Sequence, residues 1–349
     1  MNLMSVQYYC CPNCRSPKLE LRGTEPQDPD GHIDSGHLAC GRCAASFSIV
    51  GGIPRFVPDE EYAGSFGFQW NKFRKTQLDS YTGLPISGDR LFLVTQWPRE
   101  MEDQLVLEAG SGAGRFTEVL LTTGATVFSF DLSHAVEANL ANNGRMPNLN
   151  IFQASIYDIP LHEGVFDKVL CLGVLQHTPD PERSFHNLVR LLKPGGEIAV
   201  DTYARTLRKL VCWKYILRPL TTRMPKDLLF RWVERVVHAL LPAAILLRRI
   251  AGRYGGRLMP ILEYSHLGLP FELNREWAIL DTFDMYSPTH DHPSSLADVR
   301  RWLDADGLEN TVVEYGPNGI VVRGRLPQSS SKAVNVLAHA HISRPAAGY

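Results

Sequence analysis

Apolar positions are most regularly spaced between Leu105 and Asp131. Val106 and Leu107 close a short apolar run suited to a buried parallel strand, glycines follow at 110, 112 and 114, and Phe116, Val119, Leu120 and Leu121 give a helical face. After Gly124 a second apolar run, Val127 to Phe130, ends on Asp131. Strand, glycine turn, helix, strand and acid in that order predict a doubly wound α/β sheet, with the carboxylate at its C-terminal edge beside the turn. Further strands are predicted over Asn150–Ser155, Phe166–Gly173 and Glu197–Asp201. Residues 203–285 read as two or three amphipathic helices broken by Pro219, Pro225 and Pro242. Beyond them a helix near Ser295–Ala305 stops at Gly307, and strands Thr311–Tyr315 and Ile320–Arg325 flank Gly-Pro-Asn-Gly. Residues 327–349 are small, polar and aperiodic, which predicts a frayed tail.

A glycine turn followed by an acid also describes a dinucleotide site, so the spacing decides. A pyrophosphate site has the form G-x-G-x-x-G. Here the form is E-x-G-x-G-x-G, and Glu108 would repel a pyrophosphate but suits a cationic ligand. The stretch resembles the class I S-adenosylmethionine-dependent methyltransferases, and residues 104–202 are the part best covered, through Leu191-Leu-Lys-Pro-Gly-Gly196 and the following strand. The resemblance implies a seven-stranded Rossmann-like sheet, mostly parallel with an antiparallel last strand, completed by residues 286–326. It also implies that Glu108 faces the methionine end, that Gly110, Gly112 and Gly114 pass under the ligand, and that Asp131 binds the ribose. Leu132, Ile156 and Gly173 join the implied cofactor set. Ser155 stands where the family usually has an acid that bonds the adenine amino group, and a hydroxyl can accept that bond without charge.

The cysteines add a second module. Cys11-Pro-Asn-Cys14 and Cys40-Gly-Arg-Cys43 are two C-x-x-C knuckles, the arrangement of a four-sulfur structural zinc site. The region through Gly51-Gly52-Ile53-Pro54 and Phe56 resembles the zinc-ribbon domains related to the activator subunit of tRNA and protein methyltransferases, which places a zinc ribbon over residues 1–58. Such a ribbon is a module that packs on the main domain, or a contact for a partner or RNA. Residues 59–103 form an aromatic-rich bridge with Trp70, Phe73 and Tyr81. In ribbon-fused methyltransferases this segment lies across the cofactor mouth, where Trp70 and Gln77 would touch the ligand; otherwise its aromatics dock the ribbon on the core.

Composition bounds the rest. The 349 residues, 44% hydrophobic and 21% charged with a net charge of -1, describe an ordinary globular protein without general attraction to nucleic acid. No signal peptide and no apolar run of transmembrane length is visible, so a cytoplasmic location is the default expectation. The charge is segregated, however. Between Tyr203 and Arg257 thirteen basic residues face only Asp227 and Glu234, an excess of eleven that leaves the remainder of the chain at −12. This basic helical insertion can cap an active site, lie on an anionic membrane or grip a phosphorylated substrate.

Candidate acid–base groups follow strand ends and the insertion: His177, then Asp284, Tyr286 and His290, with His292 nearby. A base is needed where the methyl acceptor is a hydroxyl. No Asn/Asp-Pro-Pro-Tyr sequence follows the fourth strand, and Cys171 lies within a strand. The expected activity is therefore O-methylation of a small-molecule, sugar or lipid-linked acceptor in a biosynthetic pathway. An RNA methyltransferase that uses ribbon and insertion to bind RNA is the alternative, and a non-catalytic scaffold is the third reading.

Overall fold

The structure is a computed structural model that describes residues 1–23, 32–57, 64–206 and 212–329. The expected tail from residue 330 onward, residues 24–31 and 58 of the ribbon, the start of the bridge at 59–63 and residues 207–211 of the basic segment, including Arg208 and Lys209, lie outside the described residues.

The chain opens with a four-stranded antiparallel sheet in sequential order: β1 (Leu19–Arg22), β2 (Ser35–Cys40), β3 (Ser46–Val50) and β4 (Ile53–Pro54). Helices α1 (Gly64–Lys72), α2 (Asp79–Thr82) and α3 (Ile86–Thr95) lead to β5 (Leu105–Ala109), α4 (Arg115–Leu121), β6 (Thr126–Asp131), α5 (Ala135–Asn143), β7 (Leu149–Gln153), β8 (Phe166–Cys171), α6 (Pro181–Val189) and β9 (Leu192–Thr202). Three helices follow, α7 (Trp213–Thr221), α8 (Lys226–Gly255) and α9 (Phe271–Tyr286), and then α10 (Leu296–Asp306), β10 (Glu309–Gly316) and β11 (Gly319–Arg325).

The second sheet has seven strands in the order β10-β11-β9-β8-β5-β6-β7. Strands β5 to β9 pair in parallel, and β11 runs antiparallel between β9 and β10, in agreement with the expected mixed sheet. Val106, Leu107, Val127, Phe128, Val169 and Leu170 are fully buried, because a parallel sheet is covered on both faces. The strand order reverses between β5 and β8. The C-terminal ends of those two strands therefore border a crevice, with Gly110 directly after β5 and Gly173 two residues beyond β8.

The N-terminal sheet protects the open edge of this larger one. Arg55 forms a parallel bridge with Gln153 of β7, and the Phe56 N–H donates to the Gln153 carbonyl at 2.9 Å. Buried Tyr9 stacks on Phe56 and meets Phe152 edge-on, so aromatic packing and edge pairing act together.

Helices α7, α8 and α9 cap the other side. Leu229, Val233, Val237, Leu241 and Ala244 of α8 pack with Ala278 and Phe283 of α9. The expected break at Pro242 does not occur: Pro242 lies inside α8, on its exposed side, and the helix instead kinks at Ala251–Gly252. A proline removes one backbone donor, and here the buried face on either side of it, Leu241 and Ala244, keeps the helix continuous.

Candidate active site

The glycine turn after β5 is pinned by the Gly110 and Ser111 N–H groups, which donate to the Phe130 carbonyl at 2.8 and 3.0 Å. Gly110 has φ +74°, and a Cβ there would stand 2.3 Å from Val174 Cγ2. Gly114, at φ +86°, would place a Cβ 2.3 Å from Asn139 Oδ1. Both positions thus require glycine on conformation and on space. At Gly112 the neighbour is Trp70, whose indole lies 3.1 Å from the Cβ position, so α1 runs over the turn. Asn71 of the same helix donates to the His134 carbonyl at 2.9 Å and fixes it there.

Asp131 ends β6 beside this turn. Its Oδ2 accepts the Gly112 N–H at 2.9 Å, and Oδ1 accepts the Ser133 N–H at 2.9 Å and the Ser133 hydroxyl at 2.7 Å. Burial raises its carboxyl above the usual range, against the lowering effect of these donors. Asp131, Leu132, Ile156, Gly110, Gly112, Gly173, Trp70 and Gln77 all border one cavity of about 660 Å³, which brings most of the sequence-derived cofactor set around one space.

Three members of that set lie elsewhere. Gly114, at the N-cap of α4, is off the cavity wall and faces Asn139 and Asn143. Glu108 is 2% exposed and sits behind the turn, where its Oε2 accepts from Ser129 Oγ at 2.8 Å and from Thr117 Oγ1. The pleat of β5 turns this side chain toward α4, away from the cavity. Its Oε1 has no hydrogen-bond partner among the described residues, and burial lifts the carboxyl to about 7. Ser155 is also off the cavity wall. Its hydroxyl accepts the Tyr157 N–H at 3.2 Å, a local turn that draws it from the neighbouring wall residues Ala154 and Ile156.

The far wall is built by the cap and the bridge. Gln77 links two charged groups: its Oε1 accepts from Arg115 Nη1 at 2.5 Å, and its Nε2 donates to Asp281 Oδ1 at 2.9 Å. Asp281 also accepts from Trp277 Nε1 at 2.9 Å and from the Tyr264 hydroxyl. Burial raises its carboxyl to about 6. Arg115 and Tyr264 are cavity residues that the sequence did not single out. Arg115 stands just after the glycine turn, which was the available signal for it; Tyr264 lies in a loop with none.

Among the candidate bases, His177 and Asp284 border the cavity. His177 Nδ1 lies 3.1 Å from the His290 carbonyl, which can only accept, so the Nδ1 proton is fixed and Nε2 is the basic nitrogen of the neutral ring. Burial pushes the imidazole below its usual range, and its ring meets Tyr203 edge-on at 5.4 Å. Asp284 accepts from Gln69 Nε2 at 3.1 Å.

Two candidates are corrected. Tyr286 is fully buried in the cap core, stacks edge-on against Trp232, and donates its hydroxyl to the Pro260 carbonyl at 2.9 Å. The reason is helix phase: at about 100° per residue Asp281 and Asp284 share one face of α9, whereas Tyr286 lies about 140° from Asp281. His290 is off the cavity wall, stacked on His292 at 5.6 Å, and reaches the site through its backbone carbonyl.

The four cysteine sulfurs of the N-terminal sheet converge within 4.8 Å of one another. Cys11–Cys43 and Cys14–Cys40 Sγ distances are both 3.6 Å, close to the roughly 3.8 Å that tetrahedral geometry gives for zinc–sulfur bonds of about 2.3 Å.

With this geometry established, similarity to known proteins bears on the central part of the chain. A family model described as a methyltransferase domain matches residues 107–200. Those residues are a methyltransferase domain. It contains the glycine turn, Asp131 and His177. The chain is 33% identical over 105 residues to the ubiquinone biosynthesis O-methyltransferase of Coxiella burnetii, an overlap of 30% of this chain and 45% of that protein. It is 29% identical over 168 residues to the protein of the same name from Salmonella enteritidis, covering 42% and 67% of the two chains. The chain thus spans about half the length of the first of these curated relatives. A crystal structure of human N-acetylserotonin methyltransferase with S-adenosylmethionine is 16% identical, with a TM-score of 0.41 over 78% of this chain and 60% of that one.

Proposed function

We propose that this protein transfers a methyl group from S-adenosylmethionine to a hydroxyl of a small, sugar or lipid-linked acceptor in a biosynthetic pathway. One observation carries the reading: a single cavity joins the glycine turn and Asp131 on one wall to a tautomer-fixed, neutral His177 on another. Its size falls in the range of small-molecule sites. The name shared by the curated relatives, an O-methyltransferase of ubiquinone biosynthesis, supports oxygen as the acceptor atom.

When bound, S-adenosylmethionine supplies a methyl group already activated by the adjoining positive sulfur. Gly110 and Gly112 border its space, and Asp131 is the group for its ribose. Three of the carboxylate's roughly four acceptor positions are already taken, so Asp131 would hold a ribose hydroxyl through the one that remains. His177 Nε2 takes the acceptor hydroxyl's proton as the oxygen attacks, and the Nδ1–H bond to the His290 carbonyl holds the ring for that step. Asp284, at the same wall, favours the imidazolium so formed. Glu108 lies behind the turn, protonated in the folded state below about pH 7, and does not touch the ligand space. The four cysteines hold a structural zinc ion that keeps the ribbon folded over the β7 edge.

Calorimetric titration with S-adenosylhomocysteine, followed by methyl-transfer assays on hydroxylated aromatic, sugar and polyprenyl acceptors, tests this reading. Asp131→Ala should weaken binding by about a hundred-fold, the loss of a bond to a charged acceptor. Equal affinity in wild type and variant refutes the cofactor assignment, and methylation of RNA in place of these acceptors refutes the substrate class.

A further inference from the structure

We propose that the outer face of α7 and α8 docks the protein on an anionic lipid bilayer, with the mouth of the cavity turned toward the lipid. Trp213, Ile216 and Leu220 stand at helical spacing on one side of α7, and Ile216 and Leu220 are 56% and 67% exposed. Leu246 and Ile250 form a similar row on α8, with Ile250 74% exposed. Trp213 Nε1 donates to the Leu258 carbonyl at 2.9 Å, which ties the start of α7 to the loop after α8. Leu258 is itself exposed, while Trp213 and Arg257 border the cavity. Exposed apolar side chains thus recur at helical spacing on both helices, beginning at Trp213 on the cavity wall, where isolated ones would need no explanation.

The charges around these side chains select the partner. Arg231, Arg235 and Arg249 are exposed on α8, Arg223 in the turn before it and Arg257 in the loop after it. No Asp or Glu occurs between Asp201 and Asp227, or between Glu234 and Glu263, and Glu263 is buried against Arg248. A helix surface that faces only water normally carries both signs. Exposed apolar residues among arginines, with Asp227 and Glu234 confined to the first part of α8, complement a surface that is anionic outside and apolar a few ångströms within, which is the headgroup boundary of a bilayer. No helix among the described residues is long and apolar enough to cross a membrane, so the contact is peripheral. Docking stands independently of the catalytic reading. Its consequence, that an apolar or lipid-linked acceptor enters the cavity from the bilayer, rests on the proposed methyl transfer.

The test uses the full chain with zinc, sedimented with vesicles of phosphatidylcholine alone or of phosphatidylcholine and phosphatidylglycerol in equal amounts. The wild type should bind the mixed vesicles, release with added salt, and bind phosphatidylcholine weakly. The double variant Leu220→Glu, Ile250→Glu changes only exposed positions and should lower partitioning by about ten-fold or more, with unchanged affinity for S-adenosylhomocysteine. Arg249→Glu should lower binding to the mixed vesicles alone. Absence of binding to the mixed vesicles, or equal binding by wild type and double variant, overturns the proposal. So does a stable dimer in sedimentation velocity that the double variant dissociates without any vesicle binding by the wild type, since this face is then an interface between protein chains. Because cofactor affinity is read separately, failure of docking and failure of the methyltransferase reading give different results.

Discussion

Glu108→Gln should make the protein progressively more stable than wild type as pH rises from about 5 to above 7. Glu108 is buried behind the glycine turn with one oxygen bonded to Thr117 and Ser129 and the other without a partner among the described residues. Asn139 Nδ2 donates to both hydroxyls at 3.0 Å, which turns their protons toward the carboxyl. These donors lower the carboxyl's pKa, but desolvation outweighs them and the nearby Asp131 charge adds to it, so the group rises from 4.5 to about 7. Such a difference corresponds to about 3 kcal/mol.

The sign follows from proton counting. Between pH 4.5 and about 7 the folded state holds a proton on Glu108 that the unfolded state has lost, so the stability this group contributes is full below 4.5 and disappears as pH rises through about 7. Glutamine keeps the shape, stays neutral and removes the titration. Urea denaturation of both proteins across this window measures the difference directly, and contributions from Asp281, whose carboxyl sits at about 6, cancel in the comparison. Most of the roughly 3 kcal/mol should develop between pH 5 and 8. A difference that does not change with pH would show that Glu108 is ionised throughout and that its hydroxyl donors outweigh burial.

Other perturbations test the remaining parts of the site. His177→Ala should lower kcat by about a hundred-fold or more at unchanged cofactor affinity, and remove the acidic limb of the pH–rate profile, which in the wild type falls below the usual histidine range because burial lowers the imidazole; a preserved limb assigns the proton to another group. Metal analysis should find one zinc per chain, and Cys14→Ser should abolish it and cost several kcal/mol of stability as the ribbon loosens from the β7 edge. Retention of full stability by the metal-free variant would mean that the Tyr9–Phe56–Phe152 contacts suffice without zinc.

What the sequence made legible was set by local pattern. Alternate glycines, an acid at the end of the next strand, and paired cysteines each need only a few neighbouring residues to declare their geometry, and the cavity wall at Gly110, Gly112 and Asp131 and the sulfur cluster follow from them. The other wall depends on how distant segments meet. Gln77 of the bridge, Arg115 after the turn, Tyr264 of a loop and Asp281 of α9 form one hydrogen-bonded set, and no spacing within any of those segments announces it. The Asp-His-Pro cluster after 281 shows why composition alone does not identify a base. Its residues are divided by the phase of α9, which turns Asp281 and Asp284 to the cavity and Tyr286 into the cap, and by the loop beyond, where the part of His290 that bonds His177 is a carbonyl that any residue would supply. That carbonyl fixes the proton on His177 by its position alone. The identity of residue 290 is therefore free to change without loss of the tautomer, whereas the length and course of the loop between Tyr286 and Ser294 are not.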